Sequence, residues 1–345
     1  MESVLVLYNQ FDTGDGSFQE SRAGVMDQVR AVTESLDKLG MEYEVLPVDD
    51  LRHLVTLLTR RREKLIFNLI EEFTGSIRQA CAVPALCEAF GAGCTGNGTE
   101  ALFLAQDKAR AKAILSSAEL PCPAGVAVEP GRSLPAACLP EGTYIIKPAC
   151  SDASEGIQAD SVVPIPSAVA QTCVERIHQR FKQTAIVEQF IPSRELNVSV
   201  IEFAGRPRVL PLAEIDFSAF SADRLRIVDY QAKWVPDSFG YNHTPRLIPA
   251  PLAEPLAEQI RSLAAGAWRA LGCTGYARVD FRLDEQDRPY ILEVNPNPDI
   301  SPDAGFAAAL AAAQIPYERF VWMMLQNAAR RRENAALSFP TGPTQ

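Results

Sequence analysis

The chain has 345 residues, of which 47% are apolar and 22% charged, and its formal net charge is −10. That is enough apolar material for more than one core, and the acidic balance argues against a dedicated binder of nucleic acid or anionic membranes. No apolar run reaches the ~18–20 residues of a membrane span. The N-terminal MESVLVLYNQ lacks the basic start and cleavage site of a signal peptide. Eight cysteines are scattered without a CxxC, and the three histidines His53, His178 and His243 are far apart. A zinc site is not expected, and a reducing cytoplasm fits this cysteine usage.

In chain order, VLVLYN from Val4 to Asn9 reads as a buried strand, and a Gly/Asp-rich loop follows it. Val25, Val29, Val32, Leu36 and Leu39 are spaced as on a helix, with Gly40 as its stop. YEVLPV and KLIFNLI read as further strands, and Ile77 to Gly91 as helix interrupted at Pro84. This alternation predicts a parallel α/β unit over residues 1–100. GAGCTG, Gly91 to Gly96, matches GxGxxG by letter. It follows a helix, whereas a dinucleotide fingerprint leaves a strand, so strand plus turn is the expected structure. Thr99 to Leu120 reads as helix, with Asp107 able to cap a second helix inside it. Strands are expected at Leu120–Val128, Thr143–Ala149 and Ala185–Ile191, with a helix over Ser167–Phe181. Beyond Glu195 come ELNVSVIEF and RVLPLAEIDF around Gly205, a polar segment DYQAKW, and a helix from Pro255 to Leu271. A second hairpin, YARVDFRLD with PYILEVNP, two terminal helices and a frayed tail complete the chain.

The second hairpin carries the densest chemistry. Asp280 lies on one strand and Glu293 on its partner, with Asn295 two residues on and Arg278 two residues before Asp280. Residues i and i+2 of a strand share a face, so three oxygen donors can converge beside a guanidinium. Hard oxygen donors without His or Cys suit Mg²⁺, often together with nucleotide phosphates. Lys147 ends an apolar strand ahead of a loop of small residues, Cys150 to Ile157, that can close over phosphates, and Lys108 opens a helix. Either lysine alone reads more often as a surface residue. VEQFIPSREL places Glu188 and Glu195 on either side of an extended segment, where backbone can pair with a base edge and a carboxylate can take ribose hydroxyls.

From about Leu65 to about Phe306, these stretches in this order resemble the ATP-grasp superfamily, and within it the D-alanine–D-alanine ligases. The carrying stretches are FNLIEEFTGSIRQACAVPALCEAFGAGCTGN, DKARAKAIL, YIIKPACSDASEGI, VEQFIPSREL and ARVDFRLD with YILEVNPNP. The resemblance implies an α/β (α+β) ATP-grasp fold. A parallel α/β domain (1–100) would precede two α+β subdomains (101–190 and 191–332) that sandwich ATP, with a flexible tail at 333–345. It implies that Lys108, Lys147 and Ser154 hold ATP phosphates, that Glu188, Phe190 and Ile191 line the adenine pocket, and that Glu195 takes the ribose. Asp280, Glu293 and Asn295 would hold two Mg²⁺ ions, with Mn²⁺ able to substitute. Arg278 would stabilise a tetrahedral intermediate, and Lys233 would act from a mobile loop. The implied reaction is carboxylate–amine ligation through an acyl phosphate, on small-molecule substrates, in a cytoplasmic and possible homodimeric protein that binds neither nucleic acid nor membrane.

The substrate half departs from that family. Its Gly-Ser-Ser run reads Asp152-Ala153-Ser154 here, followed by Glu155, and the aromatic after the loop lysine is Trp234. The family's Pro-Gly and later carboxylate-binding serine become Pro298-Asp299 and Asp303-Ala304-Gly305. A site that hydrogen-bonds its substrate rejects analogues strongly when those partners change. A product other than D-alanyl-D-alanine is therefore expected, with the added acids favouring a cationic acceptor or else simply solvated. Glu20 is the nearest candidate for holding a first amino group. Cyclisation of one substrate, attack by a non-amine nucleophile, and a non-catalytic nucleotide sensor are the alternatives.

Overall fold

The computed structural model describes residues 3–10, 19–61, 64–73, 76–151, 156–221, 223–229, 232–233, 235 and 237–338. Ser154 and its neighbours Asp152, Ala153 and Glu155 lie outside the described residues, as do Tyr230, Gln231 and Trp234 and the side chain of Glu20.

Near-continuous apolar runs build the first sheet. Strands β1 (Val4–Asn9), β2 (Tyr43–Val48), β3 (Leu65–Leu69) and β4 (Gly93–Cys94) pair in parallel in the order β2-β1-β3-β4. Val4 and Val6 enter one core and Leu5 and Leu7 another, so both faces of β1 are covered. Fully burying each such side chain contributes about 1.5–3 kcal/mol. The helix at Pro84 is broken rather than kinked: one short helix ends at Ala80 and the next starts at Val83 with the proline in its first turn.

The second sheet is antiparallel, with β5 (Gly125–Val128), β6 (Gly142–Pro148), β7 (Val162–Ile165) and β8 (Ala185–Gln189) in the order β5-β8-β6-β7. The helix Ala168–Phe181, capped by Ser167, buries Ala170, Cys173, Val174 and Ile177 on one side of it. The third sheet contains β9 (Glu195–Phe203), β10 (Arg206–Val209), β11 (Ala213–Ile215), β12 (Arg246–Leu247), β13 (Tyr276–Leu283) and β14 (Pro289–Asn295), ordered β12-β11-β9-β13-β14 with β10 also on β9. Among the described residues no helix is long and apolar enough to cross a membrane.

Two packing relations were not expected. The C-terminal helix Tyr317–Ser338 lies on the first sheet: Phe320, Val321, Met324, Leu325 and Ala328 share a core with Val4, Val6 and Phe67. The helices Thr99–Gln106 and Lys108–Ser117 share theirs with the third sheet, through Ala101, Ala105, Ala111 and Leu115. Apolar periodicity marks which face of a helix is buried but not what covers it.

GAGCTG forms the expected strand and turn, and its glycines serve close packing. A Cβ on Gly93 would lie 2.5 Å from the Ala328 carbonyl oxygen of the C-terminal helix. Gly91 and Gly96 have φ of +73° and +82°. Gly275, at φ +62°, places its missing Cβ 2.6–2.8 Å from backbone atoms of Gly96. Gly275→Ala is expected to destabilise the protein by about 2–4 kcal/mol, combining a left-handed backbone penalty with a backbone clash. An unchanged urea midpoint would show that β13 can leave the Gly96 turn at no cost.

Candidate functional site

Strand pairing sorts the third sheet into two faces. Leu196, Val198, Val200, Ala277, Val279, Phe281, Ile291 and Val294 point into a core against the helix Glu254–Ala270. On the other face Asn197, Asp280 and Glu293 stand in one cross-strand row, with Arg278 opposite Asn295 in the next. An irregularity between Asp280 and Phe281 shifts the register of the hairpin, which then continues to Leu283 opposite Pro289. The structure thus brings Arg278, Asp280, Glu293 and Asn295 together.

Their contacts are mutual. Arg278 donates from Nε and Nη2 to the two oxygens of Asp280, at 2.7 Å each, and Asn197 Nδ2 donates to Asp280 Oδ1 at 2.9 Å. Glu293 Oε2 lies 3.2 Å from Lys108 Nζ. Burial would raise the Glu293 pKa, but Lys108, Lys147 and Arg278 outweigh it and bring it down to about 2. Asn295 Oδ1 accepts from the Asn297 N–H at 2.9 Å. Among the described residues no group of three or more His, Cys, Asp or Glu side chains could hold a metal. The donor set here is two carboxylates plus an amide. It fits a hard divalent cation: a carboxylate offers about four acceptor positions, and Glu293 Oε1 has no described hydrogen-bond partner.

Both lysines are interior, against the usual placement of that side chain; Lys108 and Lys147 are each 5% exposed. Asp107 caps the helix that Lys108 opens, accepting from the N–H groups of Ala109 and Arg110. Lys108 Nζ donates to the Ser151 carbonyl at 2.6 Å, at the start of the small-residue loop. Lys147 and Glu188 sit on the face of the second sheet away from its helix, with Lys147 Nζ 2.7 Å from Glu188 Oε1. Lys112 Nζ lies 2.8 Å from Glu188 Oε2. Burial raises the Glu188 pKa, but the two ammonium groups outweigh it and hold the pKa below its ordinary value.

Glu195 is engaged by a residue that pattern reading missed. Arg282 donates to Glu195 Oε2 at 2.9 Å and to the Arg226 carbonyl at 2.6 Å, and its guanidinium lies 5.2 Å from the Phe190 ring centroid. Burial raises the Glu195 pKa, with Arg282 opposing. The Phe190 N–H is taken by the Thr143 carbonyl at 2.9 Å, so it cannot meet a base edge; Ile191 is buried beside it. Lys233 belongs to the segment between β11 and β12, where its N–H donates to the Asp229 carbonyl and the preceding Ala232 packs on Gly240. The described contacts do not join it to the cluster.

Signals for the missed residues were present. Lys112 is one helical turn beyond Lys108, hence on the same side. Arg282 and Asn197 follow from the period of two that placed Arg278. The exit of the hairpin is fixed by Asn97, 4% exposed, which donates to the Tyr276 and Pro296 carbonyls, at 2.7 Å each, and accepts from the Thr274 N–H. Asp299 is exposed, and its side chain accepts from the Ser301 N–H within its own turn.

A parallel α/β unit followed by two sheets that bring buried lysines opposite a carboxylate hairpin defines the ATP-grasp class. The fold is shared with D-alanine–D-alanine ligase from Bacillus anthracis, solved in complex with ATP, at a TM-score of 0.75 and 17% identity over 97% of this chain and 99% of that one. Residues 140–326 match the D-ala D-ala ligase C-terminus family. D-alanine–D-alanine ligase of Ralstonia nicotianae is 32% identical over 250 residues, 72% of this chain and 70% of that protein. That of Desulforudis audaxviator is 30% identical over 324 residues, 92% of this chain and 97% of that protein. The chain belongs to the D-alanine–D-alanine ligase family.

Proposed function

We propose that this chain is an ATP-dependent carboxylate–amine ligase that works through an acyl phosphate and joins amino acids or similar small substrates. The observation that carries the reading is the facing pair Asp280 and Glu293, ringed by Arg278, Lys108 and Lys147, in a chain of this family. A carboxylate is a poor acyl donor because its leaving group would be oxide. Transfer of the γ-phosphoryl group to it releases ADP, and attack by an amine then releases phosphate. Phosphoryl transfer calls chiefly for positioning and charge neutralisation, which is what a cluster of fixed cations offers.

Lys108 and Lys147 would hold the phosphates, with Glu188 and Lys112 fixing the Lys147 ammonium. Phe190 and Ile191 would flank the base, and Glu195, oriented by Arg282, would take the ribose. Asp280, Glu293 and Asn295 would hold Mg²⁺, which when bound neutralises phosphate charge. Arg278 would face the oxyanion formed as the amine attacks, and Lys233 and Ser154 keep the phosphate-side roles expected from their positions in the chain. Ala153 and the stretch Asp303-Ala304-Gly305 stand where D-alanine ligases of this family carry substrate-binding serines, which supports a product other than D-alanyl-D-alanine.

The test is ADP and phosphate release by purified protein with Mg²⁺, ATP and pooled L- and D-amino acids, with mass spectrometry of the products. The expected result is release that depends on the pool and a new mass equal to two substrates minus water. One substrate minus water would replace ligation by cyclisation. ATP binding without turnover on any pool would overturn the ligase reading.

A further inference from the structure

The described contacts leave one arginine on the chemistry-bearing face without a partner. Arg246, on β12, pairs with Ile215 of β11, which pairs with Glu195 of β9, so its side chain leaves the sheet on the same side as Glu195, Arg278 and Asp280. Its guanidinium lies against Gly305: a Cβ there would be 3.0 Å from Nε and 3.2 Å from Cζ and Nη2. Any other residue at 305 would press on this group, so the glycine keeps its place open. Among the described residues the Arg246 side chain makes no hydrogen bond or ion pair. The charged groups around it are the Arg278 guanidinium and Asp303, which stays outside ion-pair distance. Two guanidiniums therefore stand near one another, and Asp280, which Arg278 binds, is held at both of its oxygens. Like charges so placed repel unless an anion joins them.

We infer that Arg246 is a specificity-determining residue that binds the carboxylate of the amine-bearing substrate, so that the acceptor is an amino acid with a free carboxylate. This rests on the ligase reading above. Position along the sheet distinguishes that carboxylate from a nucleotide phosphate. The phosphate-side cation Lys108 reaches Glu293 of β14 and Lys147 acts on that same carboxylate, Arg278 stands on β13, and Arg246 comes from the opposite edge, β12. An acceptor entering from that edge has its carboxylate on Arg246 and its amine turned toward Arg278 and the acyl carbon. A guanidinium offers the fork that a carboxylate accepts in two hydrogen bonds. The inference favours a zwitterionic acceptor over a purely cationic one, in keeping with the engagement of Asp299 in its own turn.

The experiment compares wild type, Arg246→Met and Arg246→Lys on pooled amino acids and on the same pools as C-terminal amides, with KM measured for ATP and for acceptor. Hydroxylamine is added in parallel to capture acyl phosphate as hydroxamate in the wild type. In Arg246→Met the acceptor KM for free acids is expected to rise on the order of 10–100-fold, with little change for the amides. Arg246→Lys, which keeps the charge but not the fork, should fall between. A wild type that forms hydroxamate but uses acids and amides equally would overturn this inference and leave the ligase reading intact. So would a rise in the ATP KM of Arg246→Met with an unmoved acceptor KM, which would assign Arg246 to phosphate. Absence of hydroxamate with every carboxylate pool would overturn both.

Discussion

Glu293→Gln is expected to lower turnover on the order of 10²–10³-fold and to raise the Mg²⁺ concentration needed for half-maximal rate. The substitution keeps shape and one acceptor oxygen but removes a charge that three cations surround. Glu293 is ionised because Lys108, Lys147 and Arg278 overcome its burial, with a pKa near 2, so the wild-type enzyme carries the full negative charge at any working pH. The neutral amide leaves those cations facing one another and weakens the oxygen set opposite Asp280. Rates measured across a Mg²⁺ titration, beside a thermal melt to confirm folding, decide the matter. A folded variant with the wild-type Mg²⁺ dependence would remove Glu293 from the metal site.

Glu188→Gln should cost about 3–5 kcal/mol of stability, the scale for leaving a buried charge without its counter-ion. Glu188 is 1% exposed and stands between two ammonium groups, so its loss strands Lys112 and Lys147 together in the interior. The same change should raise the KM for ATP, because Lys147 loses the carboxylate that aims it. A pH signature accompanies it. The folded-state pKa of Glu188 is depressed, so its contribution is full above the ordinary glutamate value and is lost as pH falls through the lower, folded-state value. Wild-type stability should therefore fall on acidification below about pH 4.5, and the variant should lack that part of the slope. Urea denaturation at pH 7 and at several acidic values measures both effects. Equal stability of the two proteins at pH 7 would rule out a stabilising role for this triad.

The carboxylate hairpin was legible because its logic is local: two strands joined by a short turn, and a side-chain period of two. Asp280 does stand opposite Glu293 and Arg278 opposite Asn295. The same period marked Arg282, yet an arginine two residues from an acid reads as an ordinary surface charge until burial is known. The interior lysines were harder, since nothing in DKARAKAIL or YIIKPA says that both will be enclosed. Their burial depends on carboxylates distant in sequence, Glu188 for Lys147 and Glu293 for Lys108, supplying the compensating charge. The placement of the C-terminal helix was not legible at all. Its apolar stripe is clear, but its partner is a sheet at the opposite end of the chain, reached through Gly93 and through Arg331, which donates to Glu202 and to the carbonyls of Cys94 and Gly96. The literal GxGxxG turned out to belong to this junction.

The cores described above divide the molecule differently from its order along the chain. One dry core runs from β1 and β3 through Ile201 and Tyr276 to the C-terminal helix, welding the first and third sheets into a single block. The helix bearing Lys108 and Lys112 is rooted in that block as well. The second sheet keeps its oil to itself, in a core drawn only from residues 126–187. It meets the block along a wet seam, made of the Lys112–Glu188 pair, the Lys108 contact to Ser151 and the Arg282–Phe190 stack. A dry weld parts only at the full cost of its exposed area, whereas a seam of paired charges parts by separating ions that are themselves enclosed, Glu188 being 1% exposed. The second sheet thus meets the rest of the protein through charge rather than oil, and one cation of that seam, Lys108, is also one of those that would grip the phosphates.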